Sequence, residues 1–132
     1  MQLPPVLNFA LYFGTALLAW GLMLALYARL TPYPEFRLVH EGNQAAAWSL
    51  AGTALGLALP LASLVAHAVS LLDLASWAAV ALLAQGALWW LARRLLFPDL
   101  REAILADRVS VGVLLGALSL GLGVINAASL TY

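Results

Sequence analysis

The chain has 132 residues, 64% of them hydrophobic and 9% charged, and its six basic and six acidic residues cancel. Soluble domains average about 45–50% apolar and about 25% charged residues, so a mean hydropathy of +0.96 excludes an ordinary globular protein. Cysteine is absent, which removes disulfides and thiolate metal sites, and with no excess of positive charge there is no footprint for nucleic acid. What remains is an integral membrane protein whose first partner is the lipid bilayer.

A helix that crosses the hydrocarbon needs about 20 apolar residues, and four such stretches lie between the charges. The first covers residues 6–28. Residues 1–8 have no basic start and no small-residue cleavage site follows the first apolar run, so a signal peptide is not expected. After Arg29, Pro34 and Glu35 read as the first turn of a short helix over residues 34–40, because proline suits the first helical position and an acid suits the first turn. This helix is expected to lie on the membrane surface. The second span covers residues 45–68. A tight hairpin leads into the third, 71–92, with Ser70 as N-cap and Asp73 returning to the first free amides. Pro98 opens a second surface helix, 98–105, where Leu100 and Ile104 are expected to dip into lipid while Arg101 and Glu102 face water. The fourth span covers residues 109–128.

All six basic residues are arginines. Arg29 and Arg37 lie between spans one and two; Arg93, Arg94, Arg101 and Arg108 lie between spans three and four. The positive-inside rule then places loops 29–44 and 93–108 in the cytoplasm and both termini outside. Interfacial aromatics fit that orientation, with Tyr27, Tyr33, Phe36, Trp48, Trp89, Trp90 and Phe97 at the inner boundary. Phe9, Tyr12, Trp77 and Tyr132 mark the outer one.

The sequence also repeats itself. Ala16-Leu17-Leu18-Ala19-Trp20-Gly21 returns as Ala81-Leu82-Leu83-Ala84-Gln85-Gly86, Pro34-Glu35-Phe36-Arg37 as Pro98-Asp99-Leu100-Arg101, Asn43 as Asp107 and Gly52 as Gly116. The expected fold is an all-α membrane protein, one domain over residues 1–132, with four transmembrane helices as two parallel two-helix repeats, about 6–68 and 71–128. Two spans per unit relate the copies by a pseudo-two-fold axis along the membrane normal.

Polar and small residues fall on single faces of two spans. On the second they are Ser49, Thr53, Gly56, Pro60, Ser63, His67 and Ser70; on the fourth, Gly112, Gly116, Ser119, Gly123 and Asn126. Steps of three and four keep each series on one side of a helix. Gly52-x-x-x-Gly56 and Gly112-x-x-x-Gly116 allow backbones to touch, so spans two and four are expected at the centre, with one and three outside. Two readings of the stripes stay open. They are packing faces whose polar atoms bond to neighbours, or they line a narrow path with Ser63, His67 and Asn126 at its outer mouth. Pro60 frees a backbone carbonyl near Gly56, and such a group persists in a membrane only against protein or a cavity. Gln85, mid-span, is expected to make an interhelical hydrogen bond.

No catalytic, cofactor or metal constellation is expected. There is no glycine-rich phosphate loop, two histidines without cysteine and without carboxylates at the same depth make no zinc site, and His40 and Glu41, being adjacent, point to different faces. Asp99, Glu102 and Asp107 sit among arginines and read as a solvated, salt-bridged surface. No ionisable group is expected deep in the bundle, which counts against an active transporter.

Thr31-Pro32, Glu35 followed by the aromatic Phe36, Asn43 ahead of Ala45 and Ala46, Gly52-Thr53, Gly56, Pro60-Leu61, Ser63 and Asn126-Ala127-Ala128 together resemble the YjfL-type family of small bacterial inner-membrane proteins of unknown function. The resemblance covers essentially the whole chain, and Thr-Pro-x-x-Glu-aromatic is its most specific part. His67 departs from it, standing where the family has asparagine. The family implies a four-span protein of the bacterial inner membrane, often encoded beside membrane-stress proteins of the phage-shock type, and supplies no activity. The expected role is an oligomeric scaffold whose cytoplasmic loops engage a peripheral membrane protein. A small oligomeric channel or transporter along the stripes is the alternative.

Overall fold

The computed structural model describes residues 3–130. Six helices follow one another: α1 (Pro5–Leu30), α2 (Glu35–His40), α3 (Gln44–His67), α4 (Leu71–Leu96), α5 (Leu100–Leu105) and α6 (Val109–Ser129). Among the described residues α1, α3, α4 and α6 are long and apolar enough to cross a membrane. They coincide with the four apolar stretches, and the extra length on α1 and α4 runs through the arginines at their ends.

Local chemistry sets the boundaries. Pro5 starts α1, where its missing N–H costs no bond. The Ser70 hydroxyl accepts from the Asp73 amide at 3.1 Å and the Asp73 carboxylate accepts from Val69 N–H at 3.2 Å, which closes the α3–α4 hairpin. The two short helices end alike. Gly42 (φ 87°) and Asp107 (φ 55°) adopt left-handed backbone. The following amides, Asn43 and Arg108, then reach back to the carbonyls of Leu38 and Ala103, and these paired bonds satisfy the last free carbonyls of each helix. Asn43 caps α3 through Ala46 N–H at 2.8 Å, and its amide nitrogen donates to Ile104 O at 2.8 Å. Asp107 in turn accepts from Ala45 N–H at 2.9 Å. The start of α3 is thereby tied to the end of α5.

The core of the bundle is the pair α3–α6. A methyl group added at Gly52 would meet the Gly116 backbone, one at Gly56 the Ser119 carbonyl, one at Gly112 Ala45, and one at Gly123 the Gly56 carbonyl. The two helices therefore run parallel with backbones in contact. The carbonyl of Gly56, which Pro60 leaves without its intrahelical donor, lies against Gly123 and is covered by protein. α1 is peripheral, as the sequence predicts: the 18-residue window that qualifies it as a span holds no buried residue. α4 is not. Leu74, Ala78, Ala81, Leu82, Gln85 and Trp89 are buried, so the third span packs one face against the α3–α6 pair. Leu74, Ala78, Ala81 and Leu82 cluster there with Leu57, Leu61 and Leu64 of α3.

Two further expectations are corrected. Leu100 and Ile104 do not enter lipid; they are buried against Tyr27, Tyr33, Leu38, Trp89 and Leu115. α5 sits over the end of the bundle, and its apolar face finds protein there. Arg101 and Glu102 are exposed as expected. The aromatic belt is also thinner than composition indicates. Phe36, Trp48, Trp90, Phe9 and Trp77 are exposed at the surface, whereas Tyr27, Tyr33 and Trp89 are buried. Tyr132 lies outside the described residues.

Candidate functional site

The turn after α1 builds the site. The Thr31 hydroxyl lies 2.9 Å from Ala28 O and 3.1 Å from Tyr33 O, folding residues 31–34 back under the end of α1. That fold points the first turn of α2 inward. Glu35, expected as a surface acid at a helix start, is 1% exposed. The spans themselves keep to the expectation of no ionisable group deep in the bundle, but the short helix α2 places one, buried, at its Arg-bearing end.

Around Glu35 stand hydroxyls. Tyr27 of α1 donates to Glu35 Oε1 at 3.0 Å, and with its hydrogen so used the 3.1 Å contact to Ser49 of α3 makes Ser49 the donor. Trp89 of α4 presents an edge contact to Tyr27, ring centroids 4.9 Å apart, and Arg93 lies over the Trp89 ring at 5.3 Å. Four buried polar atoms have no hydrogen-bond partner among the described residues: Glu35 Oε2, Tyr33 Oη, Trp89 Nε1 and one terminal nitrogen of Arg93. Burial pushes the Glu35 carboxyl up to about 7, against a smaller downward pull from the hydroxyls of Tyr27, Thr31 and Ser49. Burial, then the charge of Glu35, raises Tyr33 well above the usual phenol range, against smaller downward pulls from the hydroxyls of Ser49 and Tyr27 and from Arg93.

Tyr27 also borders a cleft of about 270 Å³ lined mainly by α1 and α4. Its walls are apolar, including Met23, Leu57, Leu82 and Trp90, and its polar groups are Tyr27, Thr53, Gln85 and Ser119. Thr53 donates to Ser119 at 3.2 Å. Gln85, 4% exposed, accepts from Asn126 at 3.2 Å, and the same Asn126 amide donates to Ala81 O at 2.9 Å. The interhelical bond expected at Gln85 is thus present, with Asn126 as its partner. Trp20 spans α1 to α3 through Ala54 O at 2.9 Å.

The stripes divide on inspection. Ser49, Thr53, Gly56 and Pro60 on α3, and Gly112, Gly116, Ser119 and Gly123 on α6, are buried. Ser63 is half-buried and donates to Ala127 O at 3.2 Å. His67 is exposed, its Nδ1 at 2.8 Å from Ser63 O on its own helix. Asn126 turns its amide nitrogen to α4, to Ala81 O and Gln85. Sequence reasoning missed Glu35, Tyr27, Tyr33 and Trp89 as site residues. A signal was present nonetheless, since Thr31, Pro32 and Glu35 are the most specific part of the family resemblance.

Comparison with known proteins agrees with that resemblance. The chain is 34% identical over 130 residues to the UPF0719 inner membrane protein YjfL of Escherichia coli strain K12, covering 98% of both chains, and equally to that of strain O157:H7. No solved structure matches. A family model, Domain of Unknown Function (DUF350), matches residues 1–130. With the match running from one end of the four-helix unit to the other, the chain belongs to the DUF350 family.

Proposed function

We propose that this protein is a structural subunit of the bacterial inner membrane that assembles with copies of itself, without a conducting path inside the single chain. One observation carries the reading: glycines bring the α3 and α6 backbones into contact along the seam where a path would run. Close packing of small residues is what drives helix association in lipid, and the stripes serve it. Assembly has a surface to use. Ala10, Gly14, Gly21 and Ala25 form an exposed small-residue face on α1, with open space beyond both glycines, and a second copy packs there. The inner-membrane location rests on the relatives' printed name.

The architecture belongs to the proposal too. The halves 6–68 and 71–128 are two parallel repeats, supported by the pairing of Gly52 with Gly116 across the seam and by the matched ends of α2 and α5. The arginines put α2 and α5 in the cytoplasm and both termini outside. There Arg37, Glu41, Arg101 and Glu102, all exposed, meet a peripheral membrane protein. A second reading, transport through an oligomer, is favoured by Glu35, because buried ionisable groups in membrane proteins mark ion pathways. The deciding measurement is ion and proton flux into liposomes containing the purified protein, together with its mass in native detergent complexes. The scaffold reading expects a defined oligomer and no flux above empty liposomes; a flux abolished by Glu35→Gln in a folded protein establishes transport.

A further inference from the structure

We propose that Glu35 is a proton-binding site whose occupancy is relayed by Tyr27 to the membrane cleft between α1 and α4. The geometry is specific. Glu35 has one oxygen satisfied by Tyr27 and the other, Oε2, buried with no donor. A carboxylate held this way is short of hydrogen-bond donors, and a buried charge without a partner is costly. A proton on Oε2 removes the charge without needing a new donor.

The groups facing Glu35 supply no counter-charge. From α1 comes Tyr27, from the following turn Thr31 and Tyr33, and from α3 Ser49, all neutral hydroxyls. Arg93 of α4 stacks on Trp89 and acts on Tyr33. α5 and α6 contribute Leu100, Ile104 and Leu115. Burial accordingly lifts the carboxyl into the neutral range, where cytoplasmic pH decides its state. A metal ion fits less well. One carboxylate with neutral hydroxyls leaves a divalent cation short of charge, and no cluster of three acidic, histidine or cysteine ligands occurs among the described residues.

Tyr27 makes the state of Glu35 matter elsewhere. The phenol donates to the ionised carboxylate while accepting from Ser49, and it lines the cleft beside Thr53, Gln85 and Ser119. Protonation of Glu35 weakens its pull on the phenolic hydrogen and frees that hydrogen toward Ser49 or the cleft. The hydrogen-bonding character of the cleft lining then follows pH.

The test is an infrared titration of the carboxyl stretch in the purified protein reconstituted in phosphatidylglycerol–phosphatidylethanolamine vesicles. Wild type is expected to hold a protonated-carboxyl band that titrates with a midpoint near 7. Glu35→Gln removes that band, while Glu41→Gln, at an exposed position, keeps it. Tyr27→Phe deletes a donor to the ionised form and shifts the midpoint upward by about one pH unit, and the tyrosine ring mode of wild type changes with the same midpoint. A band absent at pH 6, or one that survives Glu35→Gln, overturns the site. A midpoint that follows sodium or potassium concentration assigns it to a metal cation instead. An unmoved midpoint in Tyr27→Phe overturns the relay. Should Glu35→Gln not fold, the Tyr27→Phe shift and the ring mode still decide.

Discussion

Gly52 and Gly116 face each other across the α3–α6 seam with no room for a side chain on either. A methyl group on Gly52 would run into the Gly116 carbonyl and Cα, and one on Gly116 into the Trp48 carbonyl. Both obstacles are backbone, which cannot rotate away as a side-chain tip can. Gly116→Leu should therefore lower stability by about 1–3 kcal/mol or more, the usual cost of overpacking. Gly121→Ala, on the open face of α6, should be neutral or slightly stabilising because alanine favours helix over glycine. Thermal unfolding of both variants in detergent separates the two outcomes.

The tie between α3 and α5 should be measurable in the same way. Asn43→Ala loses both the cap on Ala46 and the bond to Ile104 O, and a cost of about 1 kcal/mol or somewhat more is expected. Asp107→Gly keeps a residue at ease with positive φ but loses the bond to Ala45 N–H, so its cost should be smaller. Asp107→Val, β-branched at that φ, should be the worst of the three.

Stability should fall as pH rises through neutrality. Glu35 has a folded-state value near 7 against an ordinary 4.5. Between the two the folded protein holds the proton more tightly than the unfolded chain, and linkage then lowers stability with increasing pH. The contribution is fully present below about 4.5 and is lost by the time pH has passed 7, at no more than about 1.4 kcal/mol per pH unit. Glu35→Gln should flatten that stretch of the profile. Denaturant unfolding at a series of pH values checks the sign as well as the size.

Single cysteines should report orientation. At Arg37 and Arg101, both exposed, a membrane-impermeant thiol reagent should react only from the cytoplasmic side, and at Ser70 only from outside. Labelling of one site from both sides would remove the fixed topology.

Much of this was determined by the sequence alone. The four spans follow from the lengths of the apolar runs, and the start of the third from Ser70 with Asp73. The seam follows from the spacing of Gly52, Gly56, Gly112, Gly116 and Gly123, because helical periodicity is local and a face can be read from it. What only the tertiary structure decided is where the short helices turn. Pro34-Glu35 and Pro98-Asp99 are the same pattern in the sequence, yet Glu35 is buried beneath Tyr27 while Asp99 is exposed, 3.7 Å from Arg108. A six-residue helix has too little periodicity to fix its own rotation; that is set by what it docks on, for α2 the ends of α1 and α3. The same reason sent Leu100 and Ile104 into protein instead of lipid and joined Asn126 to Gln85, since a helix face is written in its own sequence but the neighbour it meets is not.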